Sequence, residues 1–225
     1  MRDKQGTNIR KFGLRDLHNM YKKRGWKLPL AYLMQNFLFD FTRGVSTHHY
    51  IDASELEIDS HNASHSVLYM SSWTRIVRES TRKAVLESGL SINETISLID
   101  IGSGKGKVLL VWEEVYSNCD RFSILGVEFS PMLNMICKKN LQKTNAKVAS
   151  IYEGDILNFS LKDIESNIVF YMYNPFDEVI MEKFLNKVKS ETKKETNIIF
   201  IYNNPVHDYL FTQIGIKEIF SKDSW

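Results

Sequence analysis

From Ile96 onward, short apolar runs alternate with segments of helical periodicity, and this rhythm constrains the fold more than any other feature of the chain. The runs cover 97–101, 123–128, 147–152, 167–173 and 197–203; the helical segments cover about 106–117, 131–144, 177–190 and 206–213. Short, nearly continuous apolar runs are strands buried on both faces, and strands separated by helices are joined by right-handed crossovers. The expectation is an α/β fold with a doubly wound, mostly parallel sheet. Residues 216–220 would add a sixth strand.

Upstream, residues 1–94 read as a helical N-terminal extension capping a domain that spans 95–225. Leu14, Leu17, His18 and Tyr21 fall at helical spacing, as do Leu30, Leu33, Met34 and Phe37. A further helix starts near Ser71, with Trp73, Ile76, Val77, Ser80, Ala84 and Val85 on one face and Gly89 as its stop. Charge is uneven. Residues 1–27 carry nine Lys and Arg against two Asp, a balance of +7, which within a total of +2 leaves −5 to the rest. Such an arm attracts phosphate or an acidic partner, or forms a solvated helix face. With 43% hydrophobic residues the chain has material for a core, which excludes disorder over most of its length. Cys119 and Cys137 make no disulfide framework, and no apolar run approaches the roughly 18 residues of a membrane span. A cytoplasmic protein without membrane association is expected.

Three strand ends carry chemistry. The first is Leu98-Ile99-Asp100-Ile101-Gly102-Ser103-Gly104-Lys105-Gly106-Lys107, a buried strand ending in an acid and turning through alternate glycines into a helix. The dinucleotide spacing G-x-G-x-x-G would need glycine where Lys107 stands. Bare amides at a helix start suit a pyrophosphate, whereas an acid at that entrance suits a positively charged cofactor. The second is Gly126-Val127-Glu128-Phe129-Ser130, where a carboxylate can accept from both hydroxyls of a ribose. Ser130-Pro131 also begins a helix well, so an ordinary helix start is the competing reading. The third is Glu153-Gly154-Asp155-Ile156: Asp155 could accept from an adenine amino group with Ile156 against the ring, or the segment is a surface turn.

Over about 69–220 these motifs resemble the class I S-adenosylmethionine-dependent methyltransferases of Rossmann-like fold. The resemblance implies S-adenosyl-L-methionine as cofactor. Asp100, Gly102, Ser103, Gly104 and Gly106 would bracket its methionine end, Glu128 with Phe129 would hold the ribose, and Asp155 with Ile156 would read the adenine. Asp40-Phe41-Thr42-Arg43-Gly44-Val45-Ser46-Thr47, the Tyr69 region and Asn174-Pro175-Phe176 look like a group of poorly characterised bacterial methyltransferases, which brings no established substrate. Tyr69 would cover the cofactor.

Asn174-Pro175-Phe176-Asp177 is similar to the (Asp/Asn)-Pro-Pro-(aromatic) motif of amino-nitrogen methyltransferases, with one proline fewer. That likeness makes Asn174, Pro175 and Phe176 the catalytic set. Asn174 would accept from the target amine and border the cofactor, and Phe176 would pack on the substrate. Its competitor is a plain strand-ending Asn-Pro turn. The expected function is methylation of an amino nitrogen on a protein side chain or small molecule. The alternatives are a nucleic-acid base methyltransferase using residues 1–27 on phosphate, and a cofactor-binding module without catalysis. His207 is a general base or a helix cap. His48, His49, His61 and His65 lack an accompanying cysteine cluster or H-E-x-x-H motif, so no metal is expected.

Overall fold

A computed structural model describes residues 14–48, 71–87 and 93–215. Five strands form one parallel sheet: β1 (Ile96–Ile101), β2 (Phe122–Glu128), β3 (Ala149–Glu153), β4 (Asn167–Tyr173) and β5 (Ile198–Asn203), in the order β3-β2-β1-β4-β5. The winding reverses between β1 and β4, and in such sheets a crevice opens beyond the carboxyl ends of those two strands. Helices α4 (Thr74–Glu87), α5 (Lys107–Tyr116) and α6 (Pro131–Lys143) cover one face; α7 (Glu178–Glu191) and α8 (Tyr209–Gln213) cover the other. The doubly wound α/β expectation holds. Side-chain alternation along β1 and β4 splits the core, sending Leu98, Val169 and Tyr171 toward α4–α6 and Ile99, Ile101, Phe170 and Met172 toward α7 and α8.

Two boundaries shift for identifiable reasons. β3 begins at Ala149 rather than 147 because the buried Glu113 carboxylate on α5 accepts from the amides of Lys147, Val148 and Ala149. α8 begins at Tyr209 rather than 206, since the Val206 and His207 amides donate to the Tyr202 hydroxyl and Asp208 caps the helix. The sixth-strand segment 216–220, and with it Gly89, lies outside the described residues.

The N-terminal helices form as expected but turn an unexpected face inward. After α1 (Leu14–Arg24) and α2 (Lys27–Tyr32), one π-helical stretch (Leu33–Leu38) leads into α3 (Phe39–Arg43), which stops at Gly44 in the left-handed region (φ 64°). Each wider π turn rotates the following residues around the axis. Leu30, Leu33, Met34 and Phe37 are exposed, whereas Asn36, Phe39 and Asp40 are buried. What they meet is the glycine turn after β1. Asn140 on α6 locks the arrangement: its carbonyl accepts from the Ser46 amide (3.1 Å), and its NH2 donates to the carbonyls of Ser46 (3.2 Å) and Lys105 (2.9 Å). Arg43 and Arg78 both pair with Glu114 on α5.

Candidate active site

The turn after β1 is built on positive backbone angles, with Gly102 at φ 72°, Gly104 at 53° and Gly106 at 81°. The Gly102 and Ser103 amides both donate to the Val127 carbonyl (2.9 and 3.1 Å), tying the turn to the tip of β2. Glycine is needed at Gly106 twice over: its angle disfavours any side chain, and a Cβ there would overlap the Cys137 sulfur on α6. A Cβ at Gly102 would stand 3.1 Å from Pro175 Cβ, so the Asn-Pro segment after β4 lies directly against the turn.

Two carboxylates sit at adjoining strand ends. Glu128 is buried, and its oxygens accept from the Gly104 and Ser130 amides, both at 2.9 Å. Burial pushes its pKa up, although the amides of Ser130, Gly104 and Phe129 oppose the rise. Asp100 is also buried and is raised well above the usual carboxylate range, by burial first and the Glu128 charge second. Neither carboxylate has a cationic side chain as partner among the described residues. Two like charges in a low-dielectric crevice are costly, and a cationic ligand relieves them.

Among the described residues, four buried side-chain polar atoms have no hydrogen-bond partner. They are Ser103 Oγ at the turn, Asn134 Oδ1 on the first turn of α6, Asn174 Nδ2 after β4, and Ser71 Oγ ahead of α4. Asn134 is itself fixed there by donating to the Glu128 backbone carbonyl (2.8 Å). Buried polar groups normally find partners, so unpartnered atoms on Ser103, Asn134 and Asn174, residues that follow the ends of β1, β2 and β4, are suited to a polar ligand.

The remaining expected residues separate into those the fold gathers and those it uses otherwise. Half-buried Phe129 follows Glu128 into the same crevice edge. Asp155 accepts from the Leu157 amide (2.9 Å) as cap of a short turn, Ile156 is buried behind it, and the Gly154 amide donates to the Glu128 carbonyl (2.9 Å). Phe176 packs toward Phe184 of α7, centroids 6.1 Å apart. Tyr69, His49, His61 and His65 lie outside the described residues. Asn174 is buried at φ 44°, and its side-chain carbonyl, expected to take a substrate amine, accepts instead from the Tyr202 hydroxyl (3.0 Å).

Sequence reasoning missed Tyr202, Asn36, Lys105 and Lys107. The two lysines alternate with glycines, a pattern normally read as a solvated loop, yet both are buried beneath α3. Lys107 donates to the side-chain Oδ1 of Asn36 and lies 5.5 Å from the Phe39 ring centroid. Burial pulls its amine down to about 7 and that of Lys105 to about 8, with Asp40 opposing both. Asp40 accepts from the Thr47 amide and hydroxyl (2.5 Å each), and His48 Nδ1 lies 2.6 Å from it. Burial pushes the Asp40 acid up, but hydrogen bonds from Thr47 and His48 outweigh it and hold the group below the usual range.

A family model described as a methyltransferase domain matches residues 92–222, more than half of the chain. The chain belongs to this methyltransferase-domain family. Among solved structures it is similar to a candidate S-adenosyl-L-methionine-dependent methyltransferase from Methanococcus maripaludis (19% identity, TM-score 0.43), which covers 62% of this chain and of which 63% is covered. It is similar also to an S-adenosylmethionine-dependent methyltransferase from Aquifex aeolicus (14% identity, TM-score 0.45, 64% and 88% covered). A third is precorrin-6y C5,15-methyltransferase from Geobacter metallireducens (16% identity, TM-score 0.46, 76% and 79% covered). At these values the neighbours share no more than general architecture with the family member described here. No protein of curated function matches the chain.

Proposed function

We propose that this methyltransferase-family chain transfers a methyl group from S-adenosyl-L-methionine bound across the tips of β1, β2 and β3. The observation that carries the reading is the pair of buried carboxylates, Asp100 and Glu128, which flank a glycine turn with no cationic side chain as partner among the described residues. When bound, the cofactor supplies an electrophilic methyl on a positively charged sulfur. Asp100 would face the positive methionine end beside Gly102, Ser103, Gly104 and Gly106. Glu128 has lone pairs beyond those used by the Gly104 and Ser130 amides, and these would accept from the ribose hydroxyls. Phe129, Asp155 and Ile156 would border the adenine.

The methyl acceptor would lie between Asn174-Pro175-Phe176 and the cap, residues 1–94, over the domain 95–225. An amino nitrogen of a protein side chain or small molecule is the acceptor class this motif favours. With the Asn174 side-chain carbonyl engaged by Tyr202, orientation of that nitrogen would fall to the backbone carbonyl of Asn174. Positioning alone lowers the barrier to an in-line displacement by several kcal/mol, so no strong base is required. The test is incubation of the protein with S-adenosylmethionine and fractionated amine-bearing acceptors, following S-adenosylhomocysteine. Acceptor-dependent product is expected; its absence from a protein that still binds the cofactor would leave a binding module.

Nucleic-acid methylation is a second reading, favoured by the exposed Arg15, Lys22, Lys23, Arg24 and Lys27. Binding of duplex DNA that weakens steeply with salt would support it.

A further inference from the structure

The N-terminal helices leave an apolar face in water. α2, the π-helical stretch and α3 follow one another in unbroken right-handed helical backbone. Trp26, Leu30, Leu33, Met34, Phe37 and Phe41 recur along them at helical spacing, and all six are exposed, Trp26 by 63% and Phe41 by 75%. The stripe is about 22 Å long. Phe37 and Phe41 stack on each other along it, with centroids 6.3 Å apart. The opposite face carries Asn36, Phe39 and Asp40, and it is the one buried toward the glycine turn. Exposed apolar runs of this size mark an interaction surface.

Charge selects the partner. Lys22, Lys23, Arg24 and Lys27 are all exposed and crowd the amino end of the stripe, on either side of Gly25 and Trp26. Between Lys22 and Phe41 the only acid is Asp40, and it is buried. A partner must therefore place negative charge beside apolar material. It needs no matching groove, since the stripe is one convex helix face. A second copy docking by the same face would bring no acid to the cations. Duplex DNA answers the cations but leaves the aliphatic Leu30, Leu33 and Met34 in water. The interface of an anionic bilayer meets both demands: headgroup phosphates for the cations, the acyl boundary for the aliphatic and phenyl side chains, and the level between for Trp26. No described helix is long and apolar enough to cross a membrane. That criterion says nothing of a helix lying in the interface plane, so the expectation of no membrane association gives way here.

We propose that Lys22–Phe41 is an interfacial anchor that lies on an anionic lipid surface, with the apolar stripe inserted and the four cations at headgroup level. The inserted face is opposite to Asn36 and Asp40, so one helix thickness, about 10 Å, separates the glycine turn from the lipid. The anchor does not depend on the cofactor reading, and its failure would leave that reading untouched.

The test is flotation of the full chain with vesicles of phosphatidylcholine alone and of equimolar phosphatidylcholine and phosphatidylserine. The chain should float with the mixed vesicles and not with the neutral ones. A cation near an anionic surface is worth about fivefold in binding, so Lys22→Gln, Lys23→Gln and Lys27→Gln together should weaken attachment about a hundredfold. Met34→Ser with Phe41→Ser should weaken it about tenfold or more, because two side chains no longer reach the acyl boundary. Both sets change exposed positions, and each serves if the other misfolds. Tryptophan emission should shift to the blue on the mixed vesicles, and Trp26→Phe should abolish the shift. Attachment that the lysine changes weaken and the apolar pair does not would be plain electrostatic adsorption and would overturn the anchor. Equal flotation with both vesicles would overturn the role of the cations. Vesicles left unbound would overturn the proposal outright, as would duplex DNA, an acidic protein or a second copy of the chain engaging these residues in their place.

Discussion

Replacing Lys107 with methionine keeps an unbranched apolar stem and removes the buried amine that joins the glycine turn to the N-terminal helices. Burial lowers that amine from 10.5 to about 7 in the folded chain, Asp40 acting against the fall. The unfolded chain keeps its proton up to about 10.5. Between these values the unfolded state binds more protons, so this group makes stability rise with pH across the window and withdraws that stability as pH falls through about 7. A full proton difference over one pH unit is worth about 1.4 kcal/mol. With Lys107 half-protonated near pH 7 and neutral near pH 9, its contribution over that interval is about 2 kcal/mol. Urea unfolding followed by far-ultraviolet circular dichroism, on wild type and Lys107→Met from about pH 7 to about pH 9, isolates it. Lys105 and the other titrating groups are common to both proteins, and the lost hydrogen bond to Asn36 is a constant offset. The wild type should gain about 2 kcal/mol on the variant across the interval. Parallel pH profiles would show that Lys107 is not buried against the cap and would refute the packing of α3 on the turn.

Three further perturbations probe the site. Asp100→Asn removes one of two facing acids. Because the folded chain holds the Asp100 proton above the usual carboxylate range, this group supports the fold at acid pH and ceases to as pH rises, so the variant should melt higher than wild type at neutral pH while binding S-adenosylmethionine more weakly. A lower melting temperature with unaltered binding would contradict the charge argument. Glu128→Ala should cost about 1–3 kcal/mol of S-adenosylhomocysteine binding by calorimetry, and undiminished affinity in a folded variant counts against the ribose assignment. Gly106→Ala should lose about 1–3 kcal/mol of stability in urea unfolding, and adding Cys137→Ala should restore the part due to overlap but not the part due to φ. If the second change recovers nothing, α6 does not approach the turn as closely as described.

The legible parts of this molecule are those written in local sequence. β4 spans the expected 167–173, and β1, β2 and β5 begin within one residue of expectation, because uninterrupted apolar runs leave a buried strand no alternative. β3 started late because its first amides are taken by Glu113, 34 to 36 residues earlier, and no local pattern announces that. The site divides the same way. Asp100, the glycine turn and Glu128 lie within one strand–helix–strand unit, so their spacing alone brings them together. Asn36 and Lys107 are 71 residues apart, and the partner of a lysine among glycines is visible only once α3 is seen folded over the turn. Asn174 stands out in sequence from its Asn-Pro setting. Which end of its amide remains available depends on Tyr202, 28 residues later on the neighbouring strand. The apolar stripe Leu30, Leu33, Met34 and Phe37 correctly signalled a helix, but the buried face was the polar one, since Asn36 and Asp40 approach the lysines of the turn.

A crystal structure of the full chain grown with S-adenosylhomocysteine bears most directly on the central assignment. Density should show the ribose hydroxyls within about 3 Å of the Glu128 carboxylate and the amino-acid end beside Asp100. A ligand whose adenosine lies away from β2, or a crevice filled by the chain's own side chains at saturating ligand, would contradict it.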